Sequence, residues 1–245
     1  MRVLVTGAAG YLGSELYREL TGDFALTLVD VVPPSDAGAR KLWLPCDLTD
    51  QASVTGLVAG HDAVVHTVAI VRNRAGLPIA PFLDVTVGGT WNVLDAAARG
   101  GVGRVVNISS IVAGGAHDET PVGTDGWGPL APSDLYYGLS KRLGEVIADS
   151  YAAAYPAMSV VNLRPVMIAG DGQNAEPAPS PDGIPRFMHV DVRDVARAVR
   201  AALMTTPAPT GAYNVTAARS DSVYDWTSAQ TDLGFTAENN WEQVP

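Results

Sequence analysis

Val3-Leu4-Val5-Thr6-Gly7-Ala8-Ala9-Gly10-Tyr11-Leu12-Gly13 decides how the rest of the chain is read. Its apolar start has the character of a buried strand, three glycines follow at intervals of three, and Leu12, Leu16 and Leu20 then repeat at helical spacing. The pattern predicts a strand, a tight turn and a helix. Such a turn suits a dinucleotide pyrophosphate. Without Cβ atoms, Gly7 and Gly10 can adopt positive φ and approach phosphate oxygens, while the helix N-terminus, beginning at Tyr11 and Leu12, offers N–H groups and a positive dipole. Gly13 would let the helix lie close to the strand. The spacing is G-x-x-G-x-x-G, not the general G-x-G-x-x-G, so the argument leans on context. The next apolar run, Ala25 to Val29, ends in Asp30, about where the ribose-binding acid of an NAD site falls. The alternative is a structural turn followed by a surface aspartate.

Outward from this stretch, 245 residues with 47% hydrophobic content can bury a full core as one domain, or as one domain with a small appendage. A formal net charge of -10 would repel phosphate backbones and anionic membranes, which argues against nucleic-acid and membrane partners. Cys46 is the only cysteine, which excludes an internal disulfide, makes a cysteine-ligated metal improbable and fits a reducing compartment. No metal site is expected. The first strand begins at residue 2, leaving no room for a signal peptide, and no apolar stretch reaches the length of a membrane span; the expected location is the cytoplasm.

A third apolar run, Leu42-Trp43-Leu44, leads to Cys46-Asp47-Leu48. In a nucleotide-binding sheet Asp47 could accept from the adenine amine and Leu48 could cover the ring; alternatively Asp47 or Thr49 caps the helix starting near Asp50. A fourth strand, Ala63 to Ala69, carries His66, read as a packed strand-end histidine, and the following loop carries Arg72 and Arg74. A helix is expected from Phe82 to Arg99, stopped by Gly100-Gly101. The fifth strand, Arg104 to Ile108, ends at Ser109-Ser110, and the next helix opens Tyr136-Tyr137-Gly138-Leu139-Ser140-Lys141. Tyr137 and Lys141, four apart, share a helical face. An adjacent ammonium and a cationic nicotinamide ring both favour phenolate, so Tyr137 could remove or return a hydroxyl proton.

In combination these motifs resemble the short-chain dehydrogenase/reductase superfamily, specifically its extended, NAD-dependent epimerase/dehydratase branch. The resemblance covers most of the chain. It implies that Thr6-Gly7-x-x-Gly10-x-x-Gly13 is the nucleotide turn, Asp30 the ribose acid and Asp47-Leu48 the adenine contact. Ser109-Ser110-Ile111-Val112-Ala113-Gly114-Gly115 looks like the S-S-x-x-V-Y-G strand end. That makes Ser110 the catalytic hydroxyl and Ser109 a supporting group, while Tyr137 and Lys141 match the catalytic pair, which also meets the cofactor. Leu163-Arg164-Pro165 and His189 to Ala196 resemble the signatures of the C-terminal half. Ser109, Ile111 and Arg164 are the candidate substrate contacts. The chain departs from the pattern at Thr86, where relatives commonly have asparagine, and at Ala113-Gly114-Gly115, which lacks an aromatic residue.

The fold expected is α/β: a doubly wound, mainly parallel Rossmann-type sheet with a small C-terminal substrate-covering region. Residues 1–165 would form the dinucleotide-binding core and residues 166–245 the C-terminal part, with a glycine- and proline-rich substrate loop at about 170–187. The tail from Tyr224 to Phe235 resembles that of short uronate dehydrogenases. The implied activity is NAD-dependent hydride transfer at a hydroxyl or carbonyl carbon of a small molecule, a sugar or sugar acid among the options. The alternative is epimerisation or dehydration with a recycled cofactor, which needs a further acid or base such as His117, Asp118 or Glu119; a non-catalytic NAD sensor is a third reading. The helices near 82–99 and 135–154 resemble the family's dimer-forming pair, so a homodimer is expected.

Overall fold

A computed structural model describes residues 1–71, 77–115, 124–170, 188–218 and 222–239. Its centre is a seven-stranded, wholly parallel sheet of order β3-β2-β1-β4-β5-β6-β9. The strands are β1 (Arg2–Thr6), β2 (Ala25–Asp30), β3 (Trp43–Pro45), β4 (Ala63–His66), β5 (Arg104–Ile108), β6 (Ser159–Pro165) and β9 (Gly211–Val215). A separate parallel pair joins β7 (Met167–Ala169) to β8 (His189–Asp191). The helices are α1 (Tyr11–Leu20), α2 (Ala37–Arg40), α3 (Gln51–Val58), α4 (Gly89–Gly100), α5 (Ile111–Gly114), α6 (Leu135–Ala154), α7 (Val192–Met204) and α8 (Thr227–Leu233). This is the doubly wound α/β architecture expected from the sequence.

The strands read as continuous apolar runs because both faces are covered. Val3 and Val5 of β1, Leu28 of β2 and Val65 of β4 join a core with Leu16 and Leu20 of α1 and Val195, Val199 and Leu203 of α7. Leu4, Val29 and Val64, between them in the alternation, pack on the other face with Val54 of α3, Val93 and Leu94 of α4 and Ala148 of α6. The winding runs from β1 outward to β3 and then resumes at β4 on the other side of β1. The crevice between the carboxyl ends of β1 and β4 is therefore the topological switch point, where open α/β sheets bind ligands.

The helix expected over Phe82 to Arg99 has two parts. Phe82–Gly88 forms a wide π-helical segment that narrows into α4, and Gly101 ends α4 at φ 70. The change of pitch falls at Gly88-Gly89, residues of low helix propensity. It buries Thr86, whose hydroxyl accepts the Ile70 N–H at 3.0 Å while its carbonyl accepts from Thr90 Oγ1 at 2.6 Å. Thr86 thus ties the π segment to the loop after β4.

Candidate active site

The glycine turn joins β1 to α1 at the switch point. Gly7 sits at φ +73, where a Cβ would lie 2.3 Å from Thr67 Oγ1. Gly10 does not take the positive φ expected of it: it is extended at φ -74, ψ 174, and is the N-cap of α1. Its reason is proximity, since its N–H donates to Gly7 O at 3.1 Å and a Cβ would stand 3.2 Å from that same oxygen. Gly13 is the tightest of the three: a Cβ there would fall 2.1 Å from Gly7 O and 2.7 Å from Ala8 Cα, so only glycine lets helix and turn touch. No side chain caps α1 and its first turn carries no acid. The helix end, with Leu12 and Gly13 in its first turn, is a site suited to an anion. Tyr11 reaches out of this turn, half exposed, and its hydroxyl donates to Gly170 O.

At the end of β2, Asp30 faces the turn. Its Oδ2 accepts the Ala9 N–H at 3.0 Å and its Oδ1 the Val32 N–H at 3.3 Å. Asp47 accepts from both Thr49 N and Thr49 Oγ1, at 2.9 and 2.8 Å, while the capping of α3 falls to Asp50, which accepts from Ala52 N and Ser53 N. Leu48 is buried beneath Gly89, and its carbonyl accepts from Asn92 Nδ2 at 2.8 Å.

The remaining candidate residues stand on α6 and at the end of β5. Lys141, buried on α6, donates from Nζ to Ile108 O at 2.6 Å. Burial brings its ammonium down to about 8, against the opposing charge of Glu145. Tyr137, one turn earlier, is half-buried on the same helical face. Ser110 ends the β5 segment and caps α5: its Oγ accepts the Val112 N–H at 3.3 Å, and its own proton has no acceptor among the described residues. Ile111 follows, half-buried. Ser109 turns the other way and donates to the Glu145 carboxylate.

Arg164, a candidate substrate contact, is held in a buried ion pair. Its side chain is 4% exposed, its guanidinium grips Glu145 at 2.6 and 2.9 Å, and Nη1 donates to Thr124 O at 3.0 Å. The exposed Trp127 ring lies 5.3 Å from Arg164 Cζ and 5.0 Å from Arg142 Cζ. Glu145 is the site residue that sequence reading missed; its signal was a charged residue one turn beyond Lys141 on an inward face. His66 is a packed histidine, as read: its ring nitrogens pair with Thr6 Oγ1 at 2.9 Å and Thr90 Oγ1 at 3.1 Å. Burial, with the Lys141 charge adding to it, brings it down to about 3, so it is neutral.

Arg72, Arg74, His117, Asp118, Glu119 and positions 171–187 lie outside the described residues. The ends of the last segment are described. β7 leads to Gly170, at φ +94 beside the Asp191 carboxylate, and β8 returns the chain into α7. Among the described residues no group of three histidine, cysteine or acidic side chains could hold a metal ion.

A uronate dehydrogenase of Pseudomonas putida is 36% identical over 165 residues, 66% of this chain and 59% of that enzyme, so the chain spans less than two thirds of its length. An L-arabinose 1-dehydrogenase (NAD(P)(+)) of Haloferax volcanii is 27% identical over 98% of this chain and 97% of its own. Among solved structures, a mutant uronate dehydrogenase from Agrobacterium tumefaciens complexed with NAD superposes with a TM-score of 0.78 at 26% identity, covering 97% of this chain and 84% of that one. The family model for the NAD dependent epimerase/dehydratase family matches residues 3–188, and with the glycine turn, the parallel sheet and the Tyr137–Lys141 helix in place, the chain belongs to that family.

Proposed function

We propose that this chain is an NAD-dependent oxidoreductase that oxidises a hydroxyl carbon of a sugar or sugar acid, or reduces the corresponding carbonyl. The observation that carries the reading is the meeting, at one carboxyl edge of the sheet, of an uncapped helix N-terminus on a glycine turn with Ser110, Tyr137 and Lys141. The residues fit the dinucleotide. Gly7 lets the turn close on Thr67 and Gly13 lets α1 touch the turn, the N-terminus of α1 carries no side-chain cap, and the Asp30 carboxylate accepts from Ala9 of the same turn. The pyrophosphate would lie on the first turn of α1, from Gly10 to Gly13, with its ribose at Asp30 and adenine near Asp47 and Leu48. When bound, NAD supplies the hydride-accepting ring.

The chain's own residues handle the proton. Tyr137 Oη removes it from the substrate hydroxyl, Ser110 Oγ donates to the same oxygen and fixes its distance, and the Lys141 ammonium favours the phenolate. Asp30 would repel a 2′-phosphate and so favours NAD over NADP. Ile111 lines the approach to Ser110, and Ser109 supports the strand end.

The same groups serve a second reading, favoured by the family match: epimerisation or dehydration with the cofactor restored at the end of each turnover. Incubation with NAD and a panel of uronic acids, aldoses and nucleotide sugars separates the two. Net NADH marks a dehydrogenase, altered product without NADH marks the second reading, and silence across the panel counts against both.

Residues 1–165 act as the cofactor-binding core, and the C-terminal part from residue 166 completes the sheet through β9; Tyr11 of the glycine turn meets Gly170 of that part. The working form is a homodimer built on α4 and α6. In support, Trp91, Val146 and Tyr155 expose 50%, 45% and 39% of their surface there, and Tyr151 stacks on Tyr155 and meets Trp91 edge to face. A single buried thiol, Cys46, fits a cytoplasmic setting, and no described helix is long and apolar enough to cross a membrane.

A further inference from the structure

Glu145 lies one helical turn beyond Lys141 on α6 and is 1% exposed. The chemistry above does not use it, yet its carboxylate is withdrawn from water. One oxygen accepts from Ser109 Oγ and from Arg164 Nε at 2.9 Å, and the other accepts from Arg164 Nη2 at 2.6 Å. A buried ion pair costs much of its attraction in desolvation and often stabilises a fold no better than apolar residues of similar shape. Its presence here calls for another account. Two connections lead from it to the reacting pair. Ser109 follows Ile108, whose carbonyl receives Lys141 Nζ, and the carboxylate charge acts on that ammonium from the next turn of the helix.

We infer that Glu145 is a positioning residue: through Ser109 it fixes the strand end that receives Lys141, and through its charge it holds Lys141 as an ammonium, keeping Tyr137 ready to accept a proton. The inference rests on the proposed roles of Tyr137 and Lys141. No other described anion is placed for the task. His66, facing from β4, is neutral. Arg164 from β6 and Arg142 from α6 are cations, and the latter is occupied by the carbonyls of Ala113, Gly114 and Gly128. Asp149, a further turn along α6, has its carboxyl pushed up by burial and by Glu145.

The test is a titration of the full chain without added cofactor, following phenolate absorbance and subtracting the Tyr137→Phe protein to isolate Tyr137. The wild-type residue should ionise below the free value of about 10. In Glu145→Gln, which keeps the shape and an acceptor, its midpoint should rise by about one pH unit. The double variant Glu145→Gln/Arg164→Gln, which strands no buried cation, should rise equally and carries the test alone if circular dichroism shows the single variant unfolded. A lowered wild-type midpoint that stays put in these variants overturns the role of Glu145 and leaves the Tyr137–Lys141 assignment standing. A rise in the single variant cancelled in the double traces the effect to unpaired Arg164 and overturns it too. A wild-type midpoint at the free value defeats that assignment, and the inference with it.

Discussion

The Asp30 carboxylate at the end of β2 accepts the Ala9 N–H of the glycine turn at 3.0 Å, so the group proposed for the ribose also fixes the loop proposed for the phosphates. Asp30→Ala should therefore weaken NAD binding by about 10- to 100-fold, the worth of hydrogen bonds to a charged group, and relax discrimination against NADP. Calorimetric titration with both nucleotides checks this. An unchanged preference would remove Asp30 from the ribose site.

Tyr137→Phe should leave NAD binding nearly intact while turnover falls by about 10²–10⁴-fold, the range of a lost general acid or base. Binding by fluorescence and turnover on the best panel substrate give the two numbers. Retention of full activity would end the assigned mechanism.

His66 makes stability depend on acid. The unfolded chain takes up a proton near the ordinary histidine value of 6.5, whereas the buried ring resists until about 3, so the unfolded state binds more protons between those values. Stability attributable to this residue is complete above the upper value and lost as pH falls through the window, amounting to about 2 kcal/mol by pH 5. Denaturant melts from pH 7 to pH 5 should show a shallower loss in His66→Gln than in the wild type. Parallel curves would mean that the native ring titrates normally.

Trp91 tests the assembly. Trp91→Asp places a charge in the exposed aromatic cluster of α4 and α6, and should raise the dimer dissociation constant at least about 30-fold, as loss of a central aromatic anchor does. Light scattering over a concentration series reads this directly. A wild-type monomer at micromolar concentration would refute the homodimer.

What the sequence made legible was local. Gly13 is demanded by Gly7 and Ala8, within six residues of chain, and Asp191 accepts from Arg193 N at 2.8 Å to cap its own helix, so motif and geometry lie in one stretch. Leu4 between Val3 and Val5 shows the two-sided burial of a parallel strand in the bare pattern. What stayed hidden depends on distant segments meeting. Nothing in the sequence around Arg164 shows that its partner is Glu145, 19 residues earlier. Arg104 similarly donates to Ala202 O and Thr205 O, closing the C-terminal end of α7 about a hundred residues away. Gly10 was misread in conformation because closeness to Gly7 O and tolerance of positive φ both select glycine.

The β7–β8 pair holds the departure and return of residues 171–187 side by side, Met167 against His189 and Ala169 against Asp191, outside the hydrogen-bond ladder of the main sheet. The chain on either side of those residues is thus pinned by β7 and β8 and not by the main sheet. On the substrate-covering role expected for residues 171–187, a relative's segment grafted between β7 and β8 should change substrate preference while the β6–β9 pairing and NAD binding stay unchanged.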